Sequence, residues 1–298
     1  PVALGARNNS SSGRSHYFNG ALDEVRIWTI ARSGADLCLA AGRAWNGSSC
    51  ANAAAVLPFA EGSGTTTVDV SGNGNNGTLS GPTWAAGRVG GGLAFDGNDF
   101  VSISDSASLD LTTALTLEAW VRPGVADQIG YLISKNRDYQ DQMAYSFVID
   151  VGALRLNLAD TYSFITTYQP PVGAWTHVAA TWDGATVRIY ANGSLVQSWP
   201  HTAALTANGN PVVLGARNNS SSGRSHFFNG SLDEVQIWNV SRSHAELCAD
   251  AARTWSGSAC TDGGGSGGSG GGSGGTGGGA GATGGGSGGT AGGGSGGT

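Results

Sequence analysis

The first fifty residues of this chain are written a second time, with few changes, later in the same chain. PVALGARNNS (1–10) returns as PVVLGARNNS (211–220), SSGRSHYFNGALDEVRIW (11–28) as SSGRSHFFNGSLDEVQIW (221–238), and LCLAAGRAWNGSSC (37–50) as LCADAARTWSGSAC (247–260). The spacing is constant, from Pro1 to Pro211 and from Cys38 to Cys248, or 210 residues. A period that long is a whole domain in tandem, not a solenoid unit of roughly 20–50 residues. The sequence therefore divides into the C-terminal part of one domain (1–50), a complete domain (51–260) and a tail (261–298). It is read as a fragment of a longer protein with tandem repeats.

Within 51–260 the pattern is that of strands and turns. LTLEAWVRP (115–123) alternates, with Leu115, Leu117, Ala119 and Val121 on one face and Thr116, Glu118, Trp120 and Arg122 on the other. WTHVAATW (175–182), TVRIYA (186–191) and SLVQSW (194–199) are separated by Asp183-Gly184 and Asn192-Gly193. Those dipeptides favour two-residue hairpin turns, whose central residues need φ > 0. A three-stranded meander is expected. One helix is expected over 242–254, opened by the capping-box residues Ser243 and Glu246. The Gly/Ser/Thr tail has no residue large enough to bury, so it reads as a disordered linker.

Four cysteines occupy matching places in the two copies. Four allow three pairings; the repeat favours Cys38–Cys50 and Cys248–Cys260. A zinc site is the competing reading and a poor one, since no CxxC or second ligand pair accompanies the wide spacing. Disulfides place the protein in an oxidising compartment, secreted or at the cell surface. The net charge is −6, with a single lysine, Lys135. With no basic stripe, nucleic acid is excluded as a partner. No apolar run is long enough for direct membrane insertion.

Six motifs stand in order: DVSGNGNNGTL (69–79), GRVGGGLAFDGND (87–99), LTLEAWVRP (115–123), AWTHVAATWDGATVRIYANGSLV (174–196), LGAR (214–217) and FFNGSLDEVQIWNVSRSHAEL (227–247). Their order resembles the laminin-G-like jelly-roll family of the concanavalin-A-like lectin/glucanase superfamily. The resemblance covers 51–260 and, in its C-terminal part, 1–50. It implies an all-β, two-sheet antiparallel jelly-roll sandwich with one short C-terminal helix. It also implies carbohydrate binding, adhesion or spacer duty in a large secreted or surface protein.

The same resemblance implies a structural Ca²⁺. Asp96 in FDG and Asp233 in LDEV match the family's motif positions, and the loop residues Asp69 and Asn73 are within reach. The competing reading is turn chemistry, with Asp96 and Asp233 bonding the backbone. Hydrolysis of glycans needs two facing carboxyl groups. The chain has five glutamates, Glu24, Glu61, Glu118, Glu234 and Glu246. Glu118 stands alone on its strand, and Asp233 and Glu234 are adjacent, so they should face opposite ways. The protein is therefore read as no enzyme, with His177 a packed strand histidine. Aromatics read as lying in loops are Tyr139, Tyr162, Phe164, Tyr168, Trp199 and Phe227. Of these, Tyr162, Trp199 and Phe227, with Arg224, His226 and Asn229, are the candidate contacts for an extracellular glycan or surface protein. The alternatives are a spacer with no ligand, or an accessory module of an enzyme elsewhere in the parent chain.

Overall fold

The computed structural model describes residues 53–136, 144–159, 161–219 and 223–262, with scattered positions in 1–51. The Cys38–Cys50 bridge, Tyr139 and nearly all of the Gly-rich tail lie outside the described residues.

Besides short two-stranded pairs, the strands are β1 (Ala55–Leu57), β2 (Thr66–Thr67), β3 (Gly77–Ser80), β4 (Thr83–Ala86), β5 (Gly91–Asp96), β6 (Phe100–Ile103), β7 (Leu115–Pro123), β8 (Ile129–Lys135), β9 (Tyr145–Asp150), β10 (Ala153–Leu158), β11 (Tyr162–Ile165), β12 (Thr176–Trp182), β13 (Thr186–Ala191), β14 (Ser194–Pro200), β15 (Val212–Leu214) and β16 (Asn229–Trp238). They form two antiparallel sheets. One runs β14-β13-β12-β7-β16-β5-β4, with β1 also paired to β16; the other runs β11-β10-β9-β8-β15-β6-β3-β2. Chain neighbours such as β6 and β7 lie in different sheets, which is how a jelly roll closes. This is the expected two-sheet sandwich.

The core lies between the sheets because alternate side chains of each strand point inward. Leu115, Leu117, Ala119 and Val121 of β7 join Val178, Ala180 and Trp182 of β12 and Phe147, Leu156, Val212 and Leu214 of the opposite sheet. The outward face of β7 is covered as well: Thr116 and Glu118 are fully buried and Trp120 nearly so. The cover is the end of β16 and the chain after it, where Arg242 N–H donates to the Thr116 hydroxyl and the Arg242 guanidinium pairs with Glu118. Trp238 packs with Ala53, and Leu247 of the helix packs on Ala179 and Tyr190.

The helix, α1, spans His244–Asp250 and has the expected capping box, with the Ser243 hydroxyl accepting from the Glu246 N–H. It stops four residues short of the expectation. Ala252 turns to φ 55°, Arg253 N–H donates to Cys248 O, and the Cys248–Cys260 disulfide ties the outgoing chain back. The meander is present, but its two turns differ. Asn192 and Gly193 both have positive φ (47° and 71°), whereas only Gly184 does at the other turn. There the loop has three residues, 183–185, because the Asp183 carboxylate accepts from Ala185 and Thr186 N–H.

Candidate functional site

The outward face of the β7–β16 pair carries a groove, and a β-bulge makes it. Trp120 pairs with Asp233 and Glu118 with Gln236, so β16 has one more residue than β7 between these points. The bulged residue is Glu234, with φ 48°. Leu232 and Val235 both point into the core, so the two residues between them share the outward side. The expectation that Asp233 and Glu234 face opposite ways is thus corrected: the bulge interrupts the alternation that would have separated them.

Four carboxylates now lie on one side of the sheet. Glu118 is sealed beneath the surface. Its Oε1 accepts from Trp238 Nε1 (2.9 Å) and Arg242 Nη1 (2.5 Å), and its Oε2 lies 3.3 Å from His177 Nε2. Arg242 also pairs with Asp250 of α1 and stacks over Trp238. Burial alone would raise Glu118, but Arg242 and His177 outweigh it and hold this carboxyl well below its ordinary range. Two neighbours go the other way. Burial, with Asp233 and Asp250 close by, pushes Glu234 up to about 7. Burial and Glu118 push Asp250 up to about 6, against the opposing pull of Arg242.

Above this network sits a cavity of about 180 Å³ lined by Val89, Trp120, His177, Glu234, Gln236 and Asp250. It adjoins, through Trp120, a wider one of about 360 Å³ whose wall includes Arg88, Trp175, Asn192 and Arg253. Trp120 meets His177 edge-on. The guanidinium groups of Arg88 and Arg122 stack over Trp120 and Trp175 (4.7 and 5.0 Å to the ring centroids). Two indoles with converging amide, guanidinium, imidazole and carboxyl groups provide both an apolar wall and polar contacts for a small polyhydroxylated ligand. Sequence reading missed this groove. Glu118, Trp120 and His177 carry its signal in register, but nothing in the sequence marks the bulge.

The residues assigned to calcium do not converge. Asp233 accepts from the N–H groups of Arg88 (2.7 Å), Val89 (2.8 Å) and Glu234 (2.8 Å). Asp69 accepts from Val56, Ser71 and Asn75 N–H and from the Ser71 hydroxyl. Asn73 turns its amide donors to Ala53 and Ala54 carbonyls, while Asp96 closes a turn by accepting from Asn98 N–H. Among the described residues no three of His, Cys, Asp and Glu are grouped to hold a metal ion. As placed, the four do not fit one shared site.

The ligand candidates fall into two other places. Tyr162 and Phe164 lie on the edge strand β11 rather than in a loop, and Trp199 lies on the edge strand β14. They gather around His201, with Tyr162–His201 and Phe164–Trp199 centroids 4.4 and 5.7 Å apart. Trp199 packs on the core, whereas Tyr162 is 40% exposed. Arg224, His226, Phe227 and Asn229 lie on the segment leading into and opening β16. There Arg224 stacks over Phe100, His226 meets Tyr131, Phe227 is half-buried, and Asn229 donates to Asp96 O.

Comparison with known proteins agrees with this architecture. A laminin G family model described as the concanavalin A-like lectin/glucanases superfamily matches residues 95–248, just over half the chain. Pappalysin-1 from Homo sapiens is 25% identical and that from Mus musculus 30% identical, each over 162 residues and 46% of this chain. The chain spans about one tenth of the length of these curated relatives. Among solved structures, domain 4 of AbnA, a GH43 extracellular arabinanase from Geobacillus stearothermophilus in complex with arabinotriose, is 18% identical with a TM-score of 0.54. It covers 68% of this chain and 99% of that one. The binding domain of Paraclostridial Mosquitocidal Protein 1 has TM-score 0.54 and 16% identity over 66% of this chain and 51% of its own. The ligand-binding domain of botulinum neurotoxin serotype D, in complex with N-acetylneuraminic acid, has TM-score 0.51 and 14% identity over 67% and 50%.

Proposed function

The chain belongs to the concanavalin A-like lectin/glucanases superfamily, and we propose that its groove over β7 and β16 binds glycan without cleaving it, in a secreted or surface-displayed protein. The observation that carries this is the groove itself, where Trp120 and Trp175 stand beside Gln236, Asn192, His177, Arg88 and two carboxyl groups. Sugars present apolar ring faces and many hydroxyls, and this lining meets both needs. Support also comes from two structural relatives solved in complex with arabinotriose and with N-acetylneuraminic acid. The fully buried Glu118 is held in an ion pair with Arg242, which withdraws that carboxylate from chemistry on a ligand. The buried disulfide Cys248–Cys260 supports the oxidising compartment.

The test is a glycan array screened with the full chain, in calcium and again in chelator, followed by titration of the best glycan. Arg88→Ala and Gln236→Ala each remove one groove contact from a half-buried or exposed position, so the fold should persist. Each should weaken binding about five- to tenfold, as for the loss of one hydrogen bond. Binding that ignores both substitutions refutes the site, and silence on the array refutes the function in favour of a spacer. Loss of binding in chelator would bring calcium at Asp96 or Asp233 back into the account. A second reading has one observation in its favour: Tyr162 is exposed beside His201, whose Nε2 is buried without a hydrogen-bond partner. Tyr162→Ala separates the two surfaces, since it should leave binding in the groove unchanged.

A further inference from the structure

We infer that the small cavity between Glu234, Asp250, Gln236 and His177 receives a primary ammonium group, and that the sugar the groove takes is an amino sugar with its amine free. The inference rests on the glycan-binding reading.

Charge balance is the first argument. Glu118, Asp233, Glu234 and Asp250 meet on this face, and the cation buried with them is Arg242, which Glu118 and Asp250 share. Arg88 lies over Trp120, lines the wider compartment and acts on Asp233, not on Glu234. Burial and the negative neighbours Asp233 and Asp250 all act to raise Glu234, and no cation lowers it. A cation entering the cavity supplies what this cluster lacks.

Hydrogen-bonding geometry is the second, independent argument. His177 is 2% exposed and lines the cavity. Its Nε2 faces the Glu118 carboxylate at 3.3 Å, while its Nδ1 has no hydrogen-bond partner. With the ring hydrogen on Nε2, toward the carboxylate, the neutral ring keeps Nδ1 as an acceptor. Glu234, Asp250, Gln236 and His177 all line this one small space, and an ammonium group brings three donors to it. The adjoining compartment, with Trp175, Asn192 and Arg253, has room for the rest of the sugar. That compartment also holds Asp262, but it is exposed and paired with Arg253, so the unpaired charge there is that of Arg88, which repels an ammonium and directs the amine to the acidic end.

The test is calorimetry on the full 298-residue chain with three trisaccharides: a glucosamine trimer, its fully N-acetylated form and a glucose trimer. The free-amine trimer should bind at least about tenfold more tightly than the acetylated one, the scale of a hydrogen bond to a charged group. Its affinity should rise from pH 5 to pH 7, as Glu234 and Asp250 lose their protons. Near pH 6 binding should release protons, seen as heats that change with the ionisation enthalpy of the buffer. Glu234→Gln should abolish the preference and the proton release while sparing the acetylated trimer. A melt at pH 5, where both side chains are neutral, checks that its fold is intact, and Asp250→Asn repeats the test from the helix side. Equal binding of all three trimers overturns the ammonium site and leaves the glycan reading standing. No binding by any trimer, with propylamine still bound and releasing protons, supports the ammonium site and overturns the sugar as its source. If neither trimers nor propylamine bind, the inference falls.

Discussion

Removing Arg242 should expose how strongly the groove's foundation depends on one charge. Arg242→Met retains an apolar side chain of similar length over Trp238, so the loss is mainly of charge rather than volume. Glu118, fully buried, is then left with only the Trp238 N–H and His177 opposite it, and Asp250 loses its ion-pair partner. Breaking a buried pair from one side costs about 3–5 kcal/mol, or roughly 10 °C in Tm for a domain of this size. The pH dependence carries the diagnosis. In the intact protein Glu118 lies below its ordinary 4.5, so it adds stability above that pH and loses it as pH falls through the folded value. In Arg242→Met burial dominates and raises Glu118, so the sign reverses and ionisation above pH 4.5 destabilises the fold. Urea unfolding at pH 7 and pH 3 should show a gap between the two proteins that is widest at pH 7 and clearly narrower at pH 3, closing further as pH falls toward the folded value of about 2. Glu118→Gln combined with Arg242→Met should recover most of the loss, because the uncompensated charge is gone. An equal gap at both pH values, or a single-variant loss under about 1 kcal/mol, would refute the reasoning.

Three further outcomes are checkable by thermal or urea melts. Reducing Cys248–Cys260 reopens a short loop and should lower stability by about 3 kcal/mol in the entropic model; an unchanged melt after confirmed reduction contradicts this. Gly193→Ala puts a Cβ 2.6 Å from Cys260 Sγ and 2.7 Å from Cys248 Cα, at φ 71°, so it should destabilise by about 1–3 kcal/mol. Lys135 is fully buried, paired with Asp105 and Asp110 (3.4 Å for the latter) and donating to Asn210 O. Lys135→Ala should therefore cost about 3–5 kcal/mol, and native protein treated with an amine-reactive ester should leave Lys135 unmodified.

The sandwich was legible because its strands state their faces locally. Leu115, Leu117, Ala119 and Val121 repeat with period two, and Asn192-Gly193 fits one turn type, so both survive folding unchanged. Ser243 and Glu246 likewise mark the helix start within one turn. The helix end was not legible, because it is set by a disulfide partner twelve residues on and by the pairing of Thr254–Trp255 with Cys260–Thr261. Edge strand β11 was missed for a related reason. Tyr162 and Phe164 look like loop aromatics until β10 and Trp199 are brought beside them.

The groove belongs to a third kind of information, held neither in a local pattern nor in a motif. Asp233-Glu234 reads as an ordinary strand dipeptide, and period two assigns its members to opposite faces. Leu232 and Val235 could reveal otherwise, since both are apolar with two residues between them, but that spacing alone fits a helix, a turn or a bulge equally. Only the partner strand decides. β7 offers Ala119 alone between Glu118 and Trp120, so β16 must expel its surplus residue, and the three N–H groups held by Asp233 fix which one goes. Glu234 is driven outward into a left-handed conformation that costs about 1 kcal/mol or more for a non-glycine residue. The strained residue stands beside His177 and Trp120 in the groove proposed to bind glycan, so the bulge that costs the fold this conformation is also what brings Glu234 into the cavity.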